Sequence, residues 1–232
     1  MTKSEEERDF NVFVGAETGI LKGVKVHSKG NICKNLHNLK NLDKQNEVTS
    51  LSFGENEQEI LLGLRNQTVK VYDTKFKSFS SCVETPGGHG PLVGVCRYEE
   101  ALVTASEGGV LTYWRFSEEK KKTVDVIENA VRRTGKLKNG AKEMSEEDAA
   151  KHVLKLREGR SLCRMRQCQQ APSLVGLGGR ETELQLWDLA RPDDGPVFTA
   201  KNVAPDKLQL RVPVWVSDLA WMSPHEVRAA GT

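Results

Sequence analysis

Apolar and polar residues alternate over short runs along this chain, and Gly, Asn, Asp or Pro ends each run, a pattern that predicts strands and tight turns. Three stretches show it at length: VTSLSFGENEQEILLGLRNQTVKVYDT (48 to 74), LVGVCRYEEALVTASEGGVLTYWRF (92 to 116) and LCRMRQCQQAPSLVGLGGRETELQLWDL (162 to 189). Each predicts strand, turn, strand, turn, strand. FNVFVGAETGILKGVKV (10 to 26) predicts two strands around Glu17-Thr18-Gly19, and VPVWVSDLAWMSPHEVRAAGT (212 to 232) supplies a first strand and the start of a second.

The three long stretches are copies of one unit. Each third strand closes on an aromatic pair, Tyr72-Asp73, Trp114-Arg115 or Trp187-Asp188, and Gly88-His89 precedes the second copy. Trp114 lies 42 positions after Tyr72, one period of a WD-type propeller blade, about 40 to 45 residues. Residues 1 to 232 therefore predict an all-β, WD40-type β-propeller, incomplete, with about four blades and part of a fifth. Trp114 and Trp187 are expected to fill the space between blades.

Trp187 follows Trp114 by 73 positions, and the excess falls in residues 117 to 160, expected to be a charged inter-blade insertion. Its part from Ala130 to Lys142 carries Arg132, Arg133, Lys136, Lys138 and Lys142 with no acid, which predicts a mobile loop. Ser145 with Asp148 forms a capping box for a short helix through about Val153, leading into a blade strand from His152 to Leu156.

Charge and cysteine usage narrow the classes. A formal net charge of +2 means that any nucleic-acid contact must come from a local patch. No run approaches the ~20 apolar residues of a membrane helix, the first residues lack a signal-peptide pattern, and the five scattered cysteines suit free thiols in a reducing compartment; no membrane partner is expected.

Catalytic and cofactor motifs are thin. GGHGP (87 to 91) lacks the Lys and Ser/Thr of a phosphate loop and is expected to be an inter-blade turn, with His89 bonding within its own blade to a strand hydroxyl and to the turn acid Glu107. Cys163 and Cys168 have no second pair to complete a zinc site, and His225-Glu226 has no following His. Neither an enzyme, a metal nor a cofactor is expected. Positive evidence favours a scaffold: Arg164 and Arg166 alternate with Cys163 and Met165, and with Arg132, Arg133, Lys136 and Lys138 they are candidate RNA contacts, able to neutralise phosphates.

One segment is more specific than the blades. In AKNVAPDKLQLRVPVW (200 to 215), Leu208, Leu210, Val212 and Val214 alternate with Gln209, Arg211, Pro213 and Trp215. Together with GAETGILKGV (15 to 24), SLCRMRQ (161 to 167) and GGRETELQLWDL (178 to 189), it resembles the WD repeat-containing protein 74 family, nucleolar WD-repeat factors of large ribosomal subunit assembly. The resemblance implies a seven-bladed propeller in the nucleus and nucleolus that serves rRNA processing. Its implied partners are the pre-60S ribosomal particle, other ribosome assembly factors, ribosomal RNA and an AAA-type ATPase. Family members continue past the fifth blade, so the chain is expected to be a truncated form.

Two readings of 200 to 215 stay open. In one, the Leu and Val residues pack into a blade while Lys201, Asn202, Asp206, Arg211 and Trp215 form a partner surface. In the other, Arg211 pairs with an acid on a neighbouring blade and Trp215 fills the inter-blade core. The competing function is a generic WD-repeat adaptor, such as a substrate receptor of a ubiquitin ligase, since fold alone does not fix function.

Overall fold

The computed structural model describes residues 9 to 27, 30 to 37, 43 to 54, 58 to 115, 150 to 155, 160 to 205, 207, 208, 210 and 212 to 231. They form five antiparallel sheets in chain order. The first holds β1 (Val12–Gly15), β2 (Leu21–Lys25) and β3 (Ile32–Asn35); the second β4 (Val48–Phe53), β5 (Glu59–Leu64), β6 (Thr68–Asp73) and β7 (Ser78–Glu84). The third holds β8 (Leu92–Tyr98), β9 (Ala101–Ser106), β10 (Val110–Arg115) and β11 (Ala150–Lys155). The fourth holds β12 (Arg164–Gln167), β13 (Leu174–Gly179), β14 (Thr182–Asp188) and β15 (Pro196–Thr199); the fifth pairs β16 (Val216–Ser223) with β17 (Glu226–Gly231). This is the propeller plan that the repeats predict.

Three expectations are corrected. The first sheet has a third strand, β3, beyond the two anticipated. The extra sequence after Trp114 enters between β10 and β11 of one sheet, so it lies within a blade rather than between blades. The blade strand expected from His152 to Leu156 is β11, which starts earlier, so that residues 150 to 153, expected at the end of a helix, belong to it; Trp114 pairs with Ala150 and Thr112 with His152. A ready partner strand outweighs a weak local helix signal. The capping positions 145 and 148 and the basic loop 130 to 142 lie outside the described residues.

The signature aspartates explain where the tight turns fall. Asp73 Oδ1 accepts from the amides of Lys75 (2.8 Å) and Phe76 (2.9 Å), folding the link from β6 to β7. Asp188 Oδ1 does the same for Ala190 at 3.1 Å after β14. The blade that has Arg115 in this position is the one whose third and fourth strands are joined by the long insertion. Arginine has no carboxylate with which to cap the amides that follow it, as an Asx turn requires.

Blades meet through glycine. Gly15 of β1 lies against Val48, Gly63 of β5 against Leu92, and Gly178 of β13 against Val216, where an added Cβ would sit 2.8 Å from Val216 Cβ. Val48, Leu92 and Val216 each open the inner strand of the next sheet. Since Gly63 and Gly178 sit on second strands, Gly15 gives β1 the second-strand position too. Among the described residues the first blade therefore has no strand inside β1.

Three apolar clusters fill the junctions: Leu21 with Ile60, Leu62 and Tyr72; Leu61, Val69 and Val71 with Val95, Leu102 and Trp114; and Val103, Leu111 and Tyr113 with Met165, Val175 and Trp187. Trp114 and Trp187 are buried, as predicted. The inner strands are also stitched by side chains bonding the backbone of a neighbouring blade. Thr49 Oγ1 donates to Leu92 O (2.6 Å), Ser52 Oγ to Val95 O (2.7 Å), Gln167 Nε2 to Arg97 O (2.8 Å) and Trp221 Nε1 to Arg166 O (2.9 Å). These bonds satisfy carbonyls that no ladder partner reaches. Thr49→Val, which keeps the shape and deletes the donor, is expected to cost about 1 kcal/mol in urea unfolding, with Ser80→Ala, whose hydroxyl bonds only within its own blade, nearly neutral.

Cys96, buried between the third and fourth blades, has its thiol pushed up to about 12 by burial, above an ordinary value of 9.0. The folded state therefore keeps its proton where the unfolded chain has lost it. That contribution to stability is whole below about pH 9 and fades as pH rises towards 12. Urea midpoints measured at rising pH should fall more steeply for the parent chain than for Cys96→Ala.

Candidate functional site

Two surfaces carry the candidate residues. The first is the segment 200 to 215, whose described residues do not form the strand that their alternation predicts; among them only Trp215 enters a bridge, to Arg180. Leu208, Leu210 and Val212 are exposed, at 76%, 61% and 39%, and not packed into the blade. A period of two records only that one side of an extended chain is apolar, and here no sheet face is presented to that side.

Asn202 is the staple of this segment. Its Nδ2 donates to Val212 O at 2.8 Å and its Oδ1 accepts from Val203 N at 2.7 Å, tying the two ends together. Lys201 is exposed. Trp215 is half exposed at 46%, which excludes the reading that it fills the inter-blade core. The guanidinium of Arg180 lies over its ring, 5.7 Å from the centroid. Arg180 carried no sequence signal beyond the polar turn GGRETE, and it is the cation seated on this indole. Asp206 and Arg211 lie outside the described residues.

The second surface is the inner wall of the propeller. A cavity of about 740 Å³ runs along β1, β4, β8 and β12, and among its described lining residues the charged ones are Arg97, Arg164 and Arg166. Met165 is buried in the core while Arg164 and Arg166 turn to the opposite face, as their alternation predicts. That face looks towards β16 rather than open solvent. Arg164 Nε lies 3.2 Å from Asp218 Oδ1, and Arg166 Nη2 3.7 Å from the same oxygen. The Leu219 amide already donates to it at 2.9 Å. Arg97 Nε lies 3.2 Å from Glu59 Oε2. Arg132, Arg133, Lys136 and Lys138 lie outside the described residues.

The remaining sequence candidates fall into structural places. GGHGP is the turn between β7 and β8, held by Gln67: its Nε2 donates to Gly88 O (3.2 Å) and Gly90 O (2.9 Å), and its Oε1 accepts from Gly87 N (2.9 Å). The His89 side chain is exposed, and its backbone carbonyl accepts from Gly108 N at 2.8 Å. The bonds expected from the His89 side chain to a strand hydroxyl and to Glu107 are not formed; Trp114 Nε1 donates to Thr104 Oγ1 at 2.9 Å, a link that the sequence did not signal. None of the five cysteines is in a disulfide; Cys168 is buried and Cys163 half-buried. Among the described residues no three His, Cys, Asp or Glu side chains are grouped to hold a metal ion.

Comparison with solved structures agrees with the propeller plan. The chain superposes on the structure of U3-55K with a TM-score of 0.60 at 14% identity, covering 94% of this chain and 55% of that one. On the WD40 β-propeller domain of Doa1 the TM-score is 0.57 at 9% identity, covering 96% and 59%. Identities this low show the fold alone. No family model matches the sequence. Curated relatives do: WD repeat-containing protein 74 of Bos taurus and of Homo sapiens are each 32% identical over 213 residues, 91% of this chain and 48% of theirs. The chain thus spans about half the length of the curated relatives it matches. With the repeats, the five sheets and this shared sequence in agreement, the chain belongs to the WD repeat-containing protein 74 family.

Proposed function

We propose that this chain is a non-catalytic scaffold of ribosome biogenesis that associates with pre-60S particles in the nucleolus. There it would meet other assembly factors, ribosomal RNA and an AAA-type ATPase. The observation that carries this reading is the 32% identity to WD repeat-containing protein 74 over 91% of the chain. The exposed stacked pair of Arg180 and Trp215, with Leu208 and Leu210 exposed nearby in sequence, supports it. Aromatic and arginine side chains are the residue types that anchor interfaces.

Gradient sedimentation of cell extract containing the epitope-tagged chain tests the reading. The tagged chain should migrate with large-subunit precursors, and Trp215→Ala should release most of it to the free fractions without changing urea stability by more than about 0.5 kcal/mol. Migration of the parent chain only as free protein overturns the reading and favours the adaptor alternative.

A further inference from the structure

Guanidinium groups in the inner cavity are supplied with less acceptor than they demand. Arg164 and Arg166 share a single carboxylate oxygen of Asp218, which the Leu219 amide also uses. Each guanidinium carries five N–H donors, and a carboxylate is matched well by one such fork. Arg97 and Arg164 show the shortfall directly. Their Nε atoms are shielded from solvent and lack an aligned acceptor, although each lies 3.2 Å from a carboxylate oxygen. Proximity without alignment gives charge attraction but no full hydrogen bond.

The surroundings select the partner's charge and shape. No acid is among the described lining residues, and Glu59 and Asp218 behind them offset only two of the three arginine charges, which leaves the cavity wall an excess of positive charge. Phe13 and Phe53 supply apolar contact, and Ser52 and Gln167 are already engaged on the inner carbonyls. About 740 Å³ falls within the range of ligand clefts, roughly 300 to 1,000 Å³. A nucleic acid strand is tracked by cations spaced along an open groove, with aromatic faces for successive bases. Here the cations are gathered along one recess, each about a third exposed or a little more.

We infer that this cavity binds an acidic peptide segment of a protein partner, its carboxylates taking the underused donors of Arg97, Arg164 and Arg166. Asp218 is then the internal competitor that holds Arg164 and Arg166 while the cavity is empty of peptide. The inference does not depend on the ribosomal reading, and its test uses no ribosomal component.

The test is fluorescence anisotropy with the full 232-residue chain and a fluorescein-labelled peptide of alternating Glu and Leu. The same peptide with Gln for Glu is the control, and single-stranded oligouridine the competitor. The Glu peptide should bind and the Gln peptide should not. Arg164→Gln with Arg166→Gln should weaken binding by about tenfold or more, since charge-assisted bonds are lost. Asp218→Asn should strengthen it several-fold, an effect that simple damage to the fold would not produce. Should the double variant misfold, Arg97→Gln, expected to weaken binding, and Asp218→Asn decide the matter. Equal binding of the Glu and Gln peptides, no binding of either, or weaker binding by Asp218→Asn overturns the inference. Oligouridine that binds in their place with the same dependence on Arg164 and Arg166 also overturns it and makes the cavity a nucleic-acid site.

Discussion

Trp114→Ala is expected to destabilise the chain by about 3 to 5 kcal/mol, the range for removing a fully buried large aromatic. Trp114 is 4% exposed and packs with Leu61, Val69 and Val71 of the second blade as well as Val95 and Leu102 of its own. Its loss opens a cavity between two sheets that are each pinned by their own ladders, so neither can collapse freely to fill it. The indole also donates to Thr104 Oγ1, a side chain that is itself 2% exposed. Trp114→Phe separates the two contributions. It retains most of the apolar volume and leaves the Thr104 hydroxyl without that donor, which should cost about 1 to 3 kcal/mol. Urea unfolding followed by tryptophan fluorescence and circular dichroism gives both values. A smaller loss for Ala than for Phe would show that the junction is not held by packing.

Trp114 was legible in the sequence because it closes the third strand of a repeated unit, and buried strands carry their burial as alternation. Two of the outer strands were not legible for the same reason. β3 and β15 are exposed along their whole length, so their pairing is a backbone matter that leaves no hydrophobic pattern. In β11 the capping-box signal at Ser145 pointed to a helix running through Val153, yet the pairing of β11 with β10 took those last residues. Local signals yield where a partner strand offers a full ladder.

The candidate site divides along the same line. The alternation of Arg164 and Arg166 with Met165 correctly separated an arginine face from a core face. It did not reveal what the arginines face, because Asp218 lies more than fifty positions away. Arg97 stood out in no motif, and only the packing of β8 beside β12 brings it to the same cavity. In 208 to 215 a clean period of two was misleading. Asn202 ties the segment back on itself through Val212 and Val203, which keeps Leu208 and Leu210 at the surface instead of in a blade.

The second large effect is expected at Gly94, where the inner strands of the third and fourth blades come closest. An added Cβ there would strike Met165 Cβ and lie 3.0 Å from Met165 Cε and 3.2 Å from Met165 Cα. The methyl end of Met165 can swing away, but its Cα belongs to β12 and moves only with the strand. Gly94→Val should therefore cost about 1 to 3 kcal/mol, towards the upper end, by forcing two hydrogen-bonded sheets apart. Gly94 sits within β8 without a positive φ, so the penalty is steric and not a matter of backbone conformation. Gly195 provides the contrast. It has φ +82 and ψ −169, a region essentially reserved for glycine, and nothing within 4 Å of an added Cβ, so Gly195→Ala tests backbone strain alone, at about 1 to 3 kcal/mol. Met165→Ala in the Gly94→Val background should recover only a minor part of the loss, because it removes Cε and keeps both Cβ and Cα. A double-mutant cycle in urea measures that recovery. Full recovery would mean that the contact is with the flexible end of Met165 and that β8 and β12 do not approach as closely as their backbones require.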